Sequence, residues 1–576
     1  MKRCAWWPLL AAVCWVMGAG AVCEEKLSPH DQSFASFVSS ARRGAFALGE
    51  VSSMEAVRPR DAFEARPAAR LGVRLARNEY ESVQLVVAAA DGQGLQGVHV
   101  AVSGLRNAGG ELFSAKNVSC SPVGYVLTME NPPYGIRPDL KPPACGWWPD
   151  MILDHVESVD IATNDVQSFW IRVHCPEGQA AGVYSGKLVV SAKGLPSVTL
   201  PFVVRVNDFS LPRTSMLPLA VSAGKPDADY KALGIDKKAR NQILFATNGF
   251  HCGWMRHNDE YTDFFADYLL TFDSLYLNER NKINRSALKR LRAQGRLGLF
   301  NLGYWWCFTD APGSEELWNG SAGTKLIDDN YAWAKAEGLL DHAYLYGCDE
   351  LNANDFTNVN RTATALKKRC PGVPIMTTAR DRRLGVDGSP LPEIDIHVPY
   401  TGAWNPEQVE KSRAAGHQVW WYICCDPHAP YANFFIESPP IETRLLMGAM
   451  SAKFRPDGFL YYATMMWSTT NTVGETPFTK WNPCSYQTYH GDGSLVCCGP
   501  GERLLPTIRL ENFRDGLEDY AYVKLLERAR GQTVEVPEAL VKSLKDFSID
   551  PRALRAWRNR LADALEQRAL HARSNK

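Results

Sequence analysis

At 576 residues the chain is too long for one ordinary core, so two or three domains are expected. A hydrophobic share of 45% and a charged share of 22% fit a soluble globular protein. With 63 basic residues against 63 acidic ones the formal charge is zero, which argues against a surface built for nucleic acid or another polyanion.

The chain starts like an export signal. Lys2 and Arg3 precede an uncharged stretch from Cys4 to Cys23, and Ala19-Gly20-Ala21 supplies a small-residue cleavage pattern. Residues 1–21 are therefore expected to be removed and the mature chain exported, to a periplasm or the outside, with no membrane span and surface association left open. Export permits disulfides, and the loss of Cys4 and Cys14 leaves an odd number of the 15 cysteines. No cysteines carry the paired CxxC spacing of a zinc site, and no phosphate-binding glycine loop stands out, so no metal and no cofactor are expected.

Residues 22–45 are polar and weakly patterned, a lead-in segment. From 46 to 212 apolar residues alternate with polar ones. Val83, Leu85 and Val87 share a face, as do Phe169, Ile171 and Val173, and Val198, Leu200, Phe202, Val204 and Val206. This period-two pattern, broken by Gly, Pro and Asn turns, predicts an antiparallel β-sandwich. The loop Asn131–Asp150, with Tyr134, Trp147 and Trp148, is too long for a hairpin turn. It would either wall a cleft or plug the seam with the next domain.

After Leu211-Pro212 the rhythm changes. Short apolar runs at Leu217–Ser222, Gly249–Trp254, Ser274–Leu277, Leu297–Gly303, Ala343–Tyr346, Pro374–Thr378, Asp395–Pro399, Gln418–Cys424 and Gly458–Ala463 alternate with helical stretches at Asp236–Ala246, Lys325–Leu340, Phe356–Arg369, Pro406–Ala415 and Ile441–Lys453. Alternating β and α over residues 213–530 predicts a (β/α)8 TIM-type barrel, with nine candidate strands for eight places. Glu511–Arg530 reads as its closing helix. Residues 531–576 form C-terminal helices, one of them started by Asp550-Pro551 and carrying the apolar stripe Leu554, Trp557, Leu561 and Leu565.

The stretch with the most chemistry is 342–350, His-Ala-Tyr-Leu-Tyr-Gly-Cys-Asp-Glu. It reads as a buried strand ending in two adjacent acids, Asp349 and Glu350, with a helix to follow. Barrel enzymes keep their chemistry at the carboxyl ends of strands. Neighbouring residues of a straight strand point to opposite faces, so both acids serve one pocket only if the backbone bends, and Gly347 would allow it. The plainer reading is a solvated pair capping the next helix. The 17 tryptophans admit two uses, core filling or platforms for sugar rings.

Six stretches together resemble glycoside hydrolase family 123, β-N-acetylgalactosaminidases with a sandwich domain before a barrel. They are Ala76–Gln84; Tyr344–Glu350; Trp420-Trp421-Tyr422 with Asn433–Glu437; Asp457–Tyr462 with Trp467; Gly491–Leu495; and Ile508–Glu511 with Arg514–Tyr520. The resemblance implies an exo-acting, retaining enzyme with no protein nucleophile, in which the 2-acetamido oxygen of a terminal β-linked N-acetylgalactosamine attacks its own anomeric carbon. Glu350 would protonate the leaving oxygen and later deprotonate water, while Asp349 would accept from the acetamido N–H and balance the charge of the intermediate.

Around them, Tyr422 would bond the acetamido carbonyl or simply pack in the core. Tyr346 belongs to the substrate-binding set. Trp420, Trp421 and Trp467 would wall the sugar, at least one of them being ordinary core. Asn433 and Asp492 suit sugar hydroxyls. Trp254, Trp305 and Trp306 would line outer subsites. Arg509 and Arg514 would bridge to Glu518 or Asp519. Cys348 departs from the family's usual apolar residue and leaves the pocket shape in doubt. Two other functions remain open: action on another 2-acetamido sugar, and a non-catalytic carbohydrate-binding protein. Oligomeric state is not legible.

Overall fold

The computed structural model describes residues 46–574, except 60–65, 90–92, 129–131, 133, 136–145, 164, 224–257, 279–282 and 468–470. The export signal, the lead-in, the helix Asp236–Ala246, the candidate strand Gly249–Trp254 and Trp254 itself lie outside the described residues.

The N-terminal region is β-rich. Its strands are β1 (Ala47–Ser52), β2 (Arg66–Pro67), β3 (Leu71–Arg77), β4 (Glu79–Ala88), β5 (Leu95–Val102), β6 (Leu105–Arg106), β7 (Leu112–Phe113), β8 (Val118–Thr128), β9 (Gly146–Ile152), β10 (Val159–Ile161), β11 (Val166–Cys175), β12 (Gly182–Ser191) and β13 (Val198–Ser210). One sheet runs β2-β1-β4-β11-β8-β9 and the other β10-β5-β12-β13-β3, with β6 and β7 at its side. Pairing is antiparallel except for β13 with β3, which is parallel. The alternating residues behave as their period requires. Val83, Leu85, Phe169 and Ile171 from the first sheet meet Leu188, Phe202 and Val204 from the second in one apolar cluster.

The other face of the first sheet is a different matter. Ser82, Gln84, Ser168 and Trp170 are also buried. That face is covered by the rest of the chain, so its polar residues must find partners inside the protein. Gln84 donates to the carbonyls of Ser52 and Glu55 and accepts from Ser168.

Among the described residues a separate antiparallel pair, Val496–Cys498 with Leu504–Pro506, stands apart from eight further strands, β14 (Leu219–Val221), β15 (Phe300–Trp305), β16 (Ala343–Gly347), β17 (Ile375–Thr377), β18 (Ile396–His397), β19 (Gln418–Val419), β20 (Trp421–Tyr422) and β21 (Phe459–Tyr461). These eight form two parallel sheets, β15-β16-β17-β18-β19 and β14-β21-β20, rather than the single eight-stranded ring expected. Helices Ala322–Ala336, Phe356–Arg369 and Pro406–Ala414 separate successive strands of the larger sheet. The expected strand Ser274–Leu277 is not a regular strand. It is a segment joined to its neighbours by a parallel bridge from Asp273 to Ser222 and a bond from the Tyr304 N–H to the Leu277 carbonyl. Both sheets face one apolar cluster that takes Ala220, Tyr304, Tyr344, Tyr346, Met376, Ile396, Trp420, Tyr422 and Leu460.

The helix Ile508–Arg530 lies almost wholly buried between this region and the first sheet. The C-terminal helix Pro551–Ser574 starts where Asp550 accepts the Arg552 N–H, and its stripe of Leu554, Trp557, Leu561 and Leu565 is buried in the same core. Among the described residues no helix is long and apolar enough to cross a membrane.

Candidate active site

Asp349 and Glu350 follow directly on β16, at the carboxyl end of the parallel sheet, and both are half-buried. The bend that turns them is not made at Gly347. Cys348 and Glu350 adopt left-handed backbone, each at φ 50°. Two such residues within three positions are sterically costly for side-chain-bearing residues, and such outliers gather where geometry serves a site. Gly347 has another task. A Cβ there would lie 2.1 Å from the Trp305 carbonyl oxygen, so only glycine lets β16 approach β15 this closely.

The two carboxylates have separate holders. Asp349 Oδ1 accepts from Tyr346 and Thr378, both at 2.7 Å, and Oδ2 accepts from Tyr276 at 2.9 Å. Its own N–H donates to the Tyr304 hydroxyl. All three side-chain partners of the carboxylate are donors, so it acts there purely as an acceptor. Glu350 Oε1 accepts from Tyr422 at 2.6 Å, and Oε2 pairs with Arg380 at 2.8 Å. The Glu350 N–H donates to Thr378 Oγ1, so one threonine ties both acids to the end of β17. Burial, reinforced by the neighbouring carboxylates, pushes the hydroxyls of Tyr276, Tyr346 and Tyr422 well above the ordinary tyrosine range, so all three remain donors.

Of the expected site residues, Tyr346 and Tyr422 thus meet the two acids. Tyr422 bonds Glu350 directly, an arrangement not foreseen from its sequence position. The others sit elsewhere. Trp420 is buried in the inner cluster, its indole N–H on the Gln418 side chain. Trp421, the next residue of an extended chain, faces the opposite way and packs edge-on against Trp404. Trp467 lies in that outer core and donates to the Val496 carbonyl. Trp305 is 1% exposed in the core behind the sheet, while Trp306 beside it is 72% exposed and lies against Tyr304 at 4.8 Å between ring centroids. Asn433 is buried and donates to the carbonyls of Cys424 and Pro427, bracing that loop. Asp492 is buried and accepts from Tyr461 and Tyr462; burial raises it to about 6 despite those bonds.

Tyr276, Tyr304, Thr378 and Arg380 were missed as site residues in the sequence. All four had a signal, since they lie in or just past candidate strands, where barrel enzymes keep their chemistry. Arg509 is corrected too: it pairs with Asp150, not with Glu518 or Asp519. Arg514 does reach Glu518, more loosely than it reaches Glu511 and Asp515. The loop carrying Tyr134 packs across the seam. That ring stacks on Phe435 at 3.9 Å and its hydroxyl donates to Glu437.

A cavity of about 430 Å3 lies at the opposite end of the sheets, lined by Arg413, Arg455, Asp457, Tyr520 and Glu527. Its charges already pair with one another, Arg413 with Asp457 and Arg455 with Glu527, so it offers no free acid or base. Among the described residues no three His, Cys, Asp or Glu side chains converge as metal ligands would.

Comparison with known proteins bears on this site. Residues 307–526 match the model of the glycoside hydrolase 123 catalytic domain, and residues 71–192 that of the glycoside hydrolase 123 N-terminal domain. A family 123 glycoside hydrolase from Clostridium perfringens, studied for glycolipid glycan hydrolysis, superposes with a TM-score of 0.64 at 14% identity, covering 92% of this chain and 100% of that one. At that identity the likeness speaks for the fold. A family 39 glycoside hydrolase from the gut symbiont Bacteroides cellulosilyticus reaches a TM-score of 0.29 at 12% identity, covering 69% and 77%, too low to carry an argument. No curated protein matches the chain.

Proposed function

The chain belongs to glycoside hydrolase family 123 and is a glycoside hydrolase; from that premise we propose that it is an exported, retaining exo-enzyme that removes terminal β-linked N-acetylgalactosamine with the sugar's own acetamido group as nucleophile. In this reading Asp349 accepts the acetamido N–H, aims the carbonyl oxygen at the anomeric carbon and offsets the positive charge that develops. Glu350 gives its proton to the leaving oxygen and takes one back from the water that opens the intermediate. Holding the amide in attack geometry makes the displacement intramolecular, an advantage of up to ~7–11 kcal/mol.

The observation that carries the reading is the division of labour between neighbouring acids. Asp349 is gripped by three hydroxyl donors, as a residue that must stay put requires. Glu350 has one hydroxyl and one exposed cation, and the cation can let go. Export rests on the N-terminal sequence alone. The two parallel sheets are read as one (β/α)8-type barrel, supported by the links through Asp273 and Leu277, by the parallel bridge from Tyr400 to Tyr422, and by the shared inner cluster. The two N-terminal sheets are likewise read as a β-sandwich.

The test is to offer an aryl β-N-acetylgalactosaminide and the matching aryl β-galactoside. Turnover of the first alone, with the β-anomer released first, is expected. Equal turnover of both would remove the acetamido group from the mechanism.

A further inference from the structure

Resting on that reading of Glu350, we infer that Arg380 is a specificity residue that recognises a carboxylate on the sugar next to the cleaved bond, so that the preferred substrates are acidic glycans. Arg380 follows β17 in the loop that faces the acid pair. Its backbone is anchored, the N–H donating to the Leu351 carbonyl just past Glu350. Its side chain is not: it is 59% exposed, and among the described residues its ion pair is with Glu350 Oε2 alone.

That pairing conflicts with the chemistry. A carboxyl group that donates a proton to a leaving oxygen cannot at the same time be the anionic partner of a guanidinium. Arg380 must therefore part from Oε2 before Glu350 acts. Parting is cheap, because an ion pair this exposed is worth little in water. Tyr422 stays on Oε1 and keeps the glutamate in place. Because Arg380 is exposed, the atom it vacates, Oε2, is the one assigned here to the leaving sugar.

The freed guanidinium then points at that sugar. Its planar fork matches a carboxylate in two bonds, as no neutral hydroxyl does. A substrate carboxylate takes the place of the Glu350 carboxylate, and Glu350 is left free to take a proton from solvent. Trp306 adds an exposed ring beside them, edge-on to Tyr304, whose hydroxyl accepts the Asp349 N–H. An aromatic face beside a cation suits a sugar ring bearing an acid group.

The experiment compares three substrates at low ionic strength: an aryl β-N-acetylgalactosaminide, and N-acetylgalactosamine β-linked to glucuronate or to glucose. The enzyme is expected to cleave the glucuronate compound at least tenfold more efficiently by kcat/KM than the glucose compound, with the gap shrinking as salt rises. Arg380→Gln should lower kcat/KM for the glucuronate compound at least tenfold more than for the glucose one, mainly through KM. Arg380→Lys should recover part of the preference. Turnover of the aryl glycoside with the two disaccharides treated alike overturns the inference and leaves the proposed function standing. An equal loss on both disaccharides in Arg380→Gln also overturns it, since Arg380 would then serve only to hold Glu350. No turnover of any of the three overturns both.

Discussion

Two groups of charges in this protein contrast sharply. At the carboxyl end of the parallel sheets, Asp349 and Glu350 are half-buried and held mostly by hydroxyls, with one exposed arginine between Glu350 and solvent. Behind the sheets, where the N-terminal region, the helix Ile508–Arg530 and the C-terminal helix meet, a second group is sealed. Arg444 there pairs with Asp519 at 2.7 Å, Glu81 at 3.1 Å and Asp515 at 3.3 Å. Arg558 joins Glu79, Glu81 and Asp519, and Arg172 reaches Glu511 at 2.7 Å. Burial alone would raise Glu81, but Arg444, Arg555 and Arg558 overcome it and hold Glu81 well below the usual carboxylate range. Charges that are fully buried must be matched on all sides, so they orient domains but cannot exchange partners. At the mouth Glu350 is matched loosely, and in the proposed function that looseness is what a proton-transfer group needs. Thus the conspicuous acids of the long helix are locked into assembly, and the inconspicuous Asp-Glu pair is left for the proposed chemistry.

The largest effect should come from breaking the sealed group. Arg444→Ala leaves three buried carboxylates without a common partner and should cost ~3–5 kcal/mol of stability, read by denaturant unfolding. A loss below ~1 kcal/mol would mean that the cluster is not acting as one unit.

The mouth should respond in rate, not in stability. Glu350→Gln is expected to lose ~10²–10⁴-fold on sugar leaving groups and much less on aryl leaving groups that need no proton. Asp349→Asn should lose ~10²–10³-fold on both, because its task does not depend on the leaving group. Melting temperatures of both variants should stay near that of the parent. Equal and mild losses in the two variants would erase the distinction drawn between them.

A third buried pair lies between these extremes. His490 Nδ1 and Glu437 Oε1 are 2.5 Å apart beneath Tyr134. Burial alone lowers His490, but its bonds to Cys484 and Glu437 win and raise it to about 9. The folded state therefore binds this proton more tightly than the unfolded chain, whose histidine titrates near 6.5. The stabilisation is complete below pH 6.5 and is lost as pH rises through about 9. A difference of roughly 1–3 kcal/mol in unfolding free energy between pH 6 and pH 10 is expected, and His490→Gln should abolish it. A variant that keeps the full pH dependence would assign it to other groups. The smallest effect is at Tyr276. Tyr276→Phe removes one of the three donors on Asp349 and should slow turnover by roughly tenfold or less, about 1 kcal/mol.

Much of the architecture was legible because it follows from periodicity. The faces of β4, β11 and β13, the strand at 343–347 and the stripe from Leu554 to Leu565 all lie where the apolar spacing puts them. The spacing could not reveal that Ser82, Gln84 and Trp170 are buried on the opposite face, because that burial comes from distant parts of the chain. At the site, the two acids and their place after a strand could be read directly. Which distant side chains hold each acid could not, since Tyr276 lies 73 residues from Asp349 and Tyr422 lies 72 from Glu350. The tryptophans misled for a related reason. Composition counts indoles but does not say which way each points, and Trp305 and Trp421 point away from the mouth while Trp306 faces solvent.

By itself, then, the sequence determined the order of strands and helices and the adjacency of two carboxyl groups, because local sterics and burial periods act over a few residues. Only the tertiary structure decided which hydroxyls and which cation each carboxyl would face, and that glycine at 347 answers to crowding by Trp305 while Cys348 and Glu350 make the turn. Those outcomes depend on short-range forces between groups far apart in the chain, and such forces have no partner to act on until the backbone has closed.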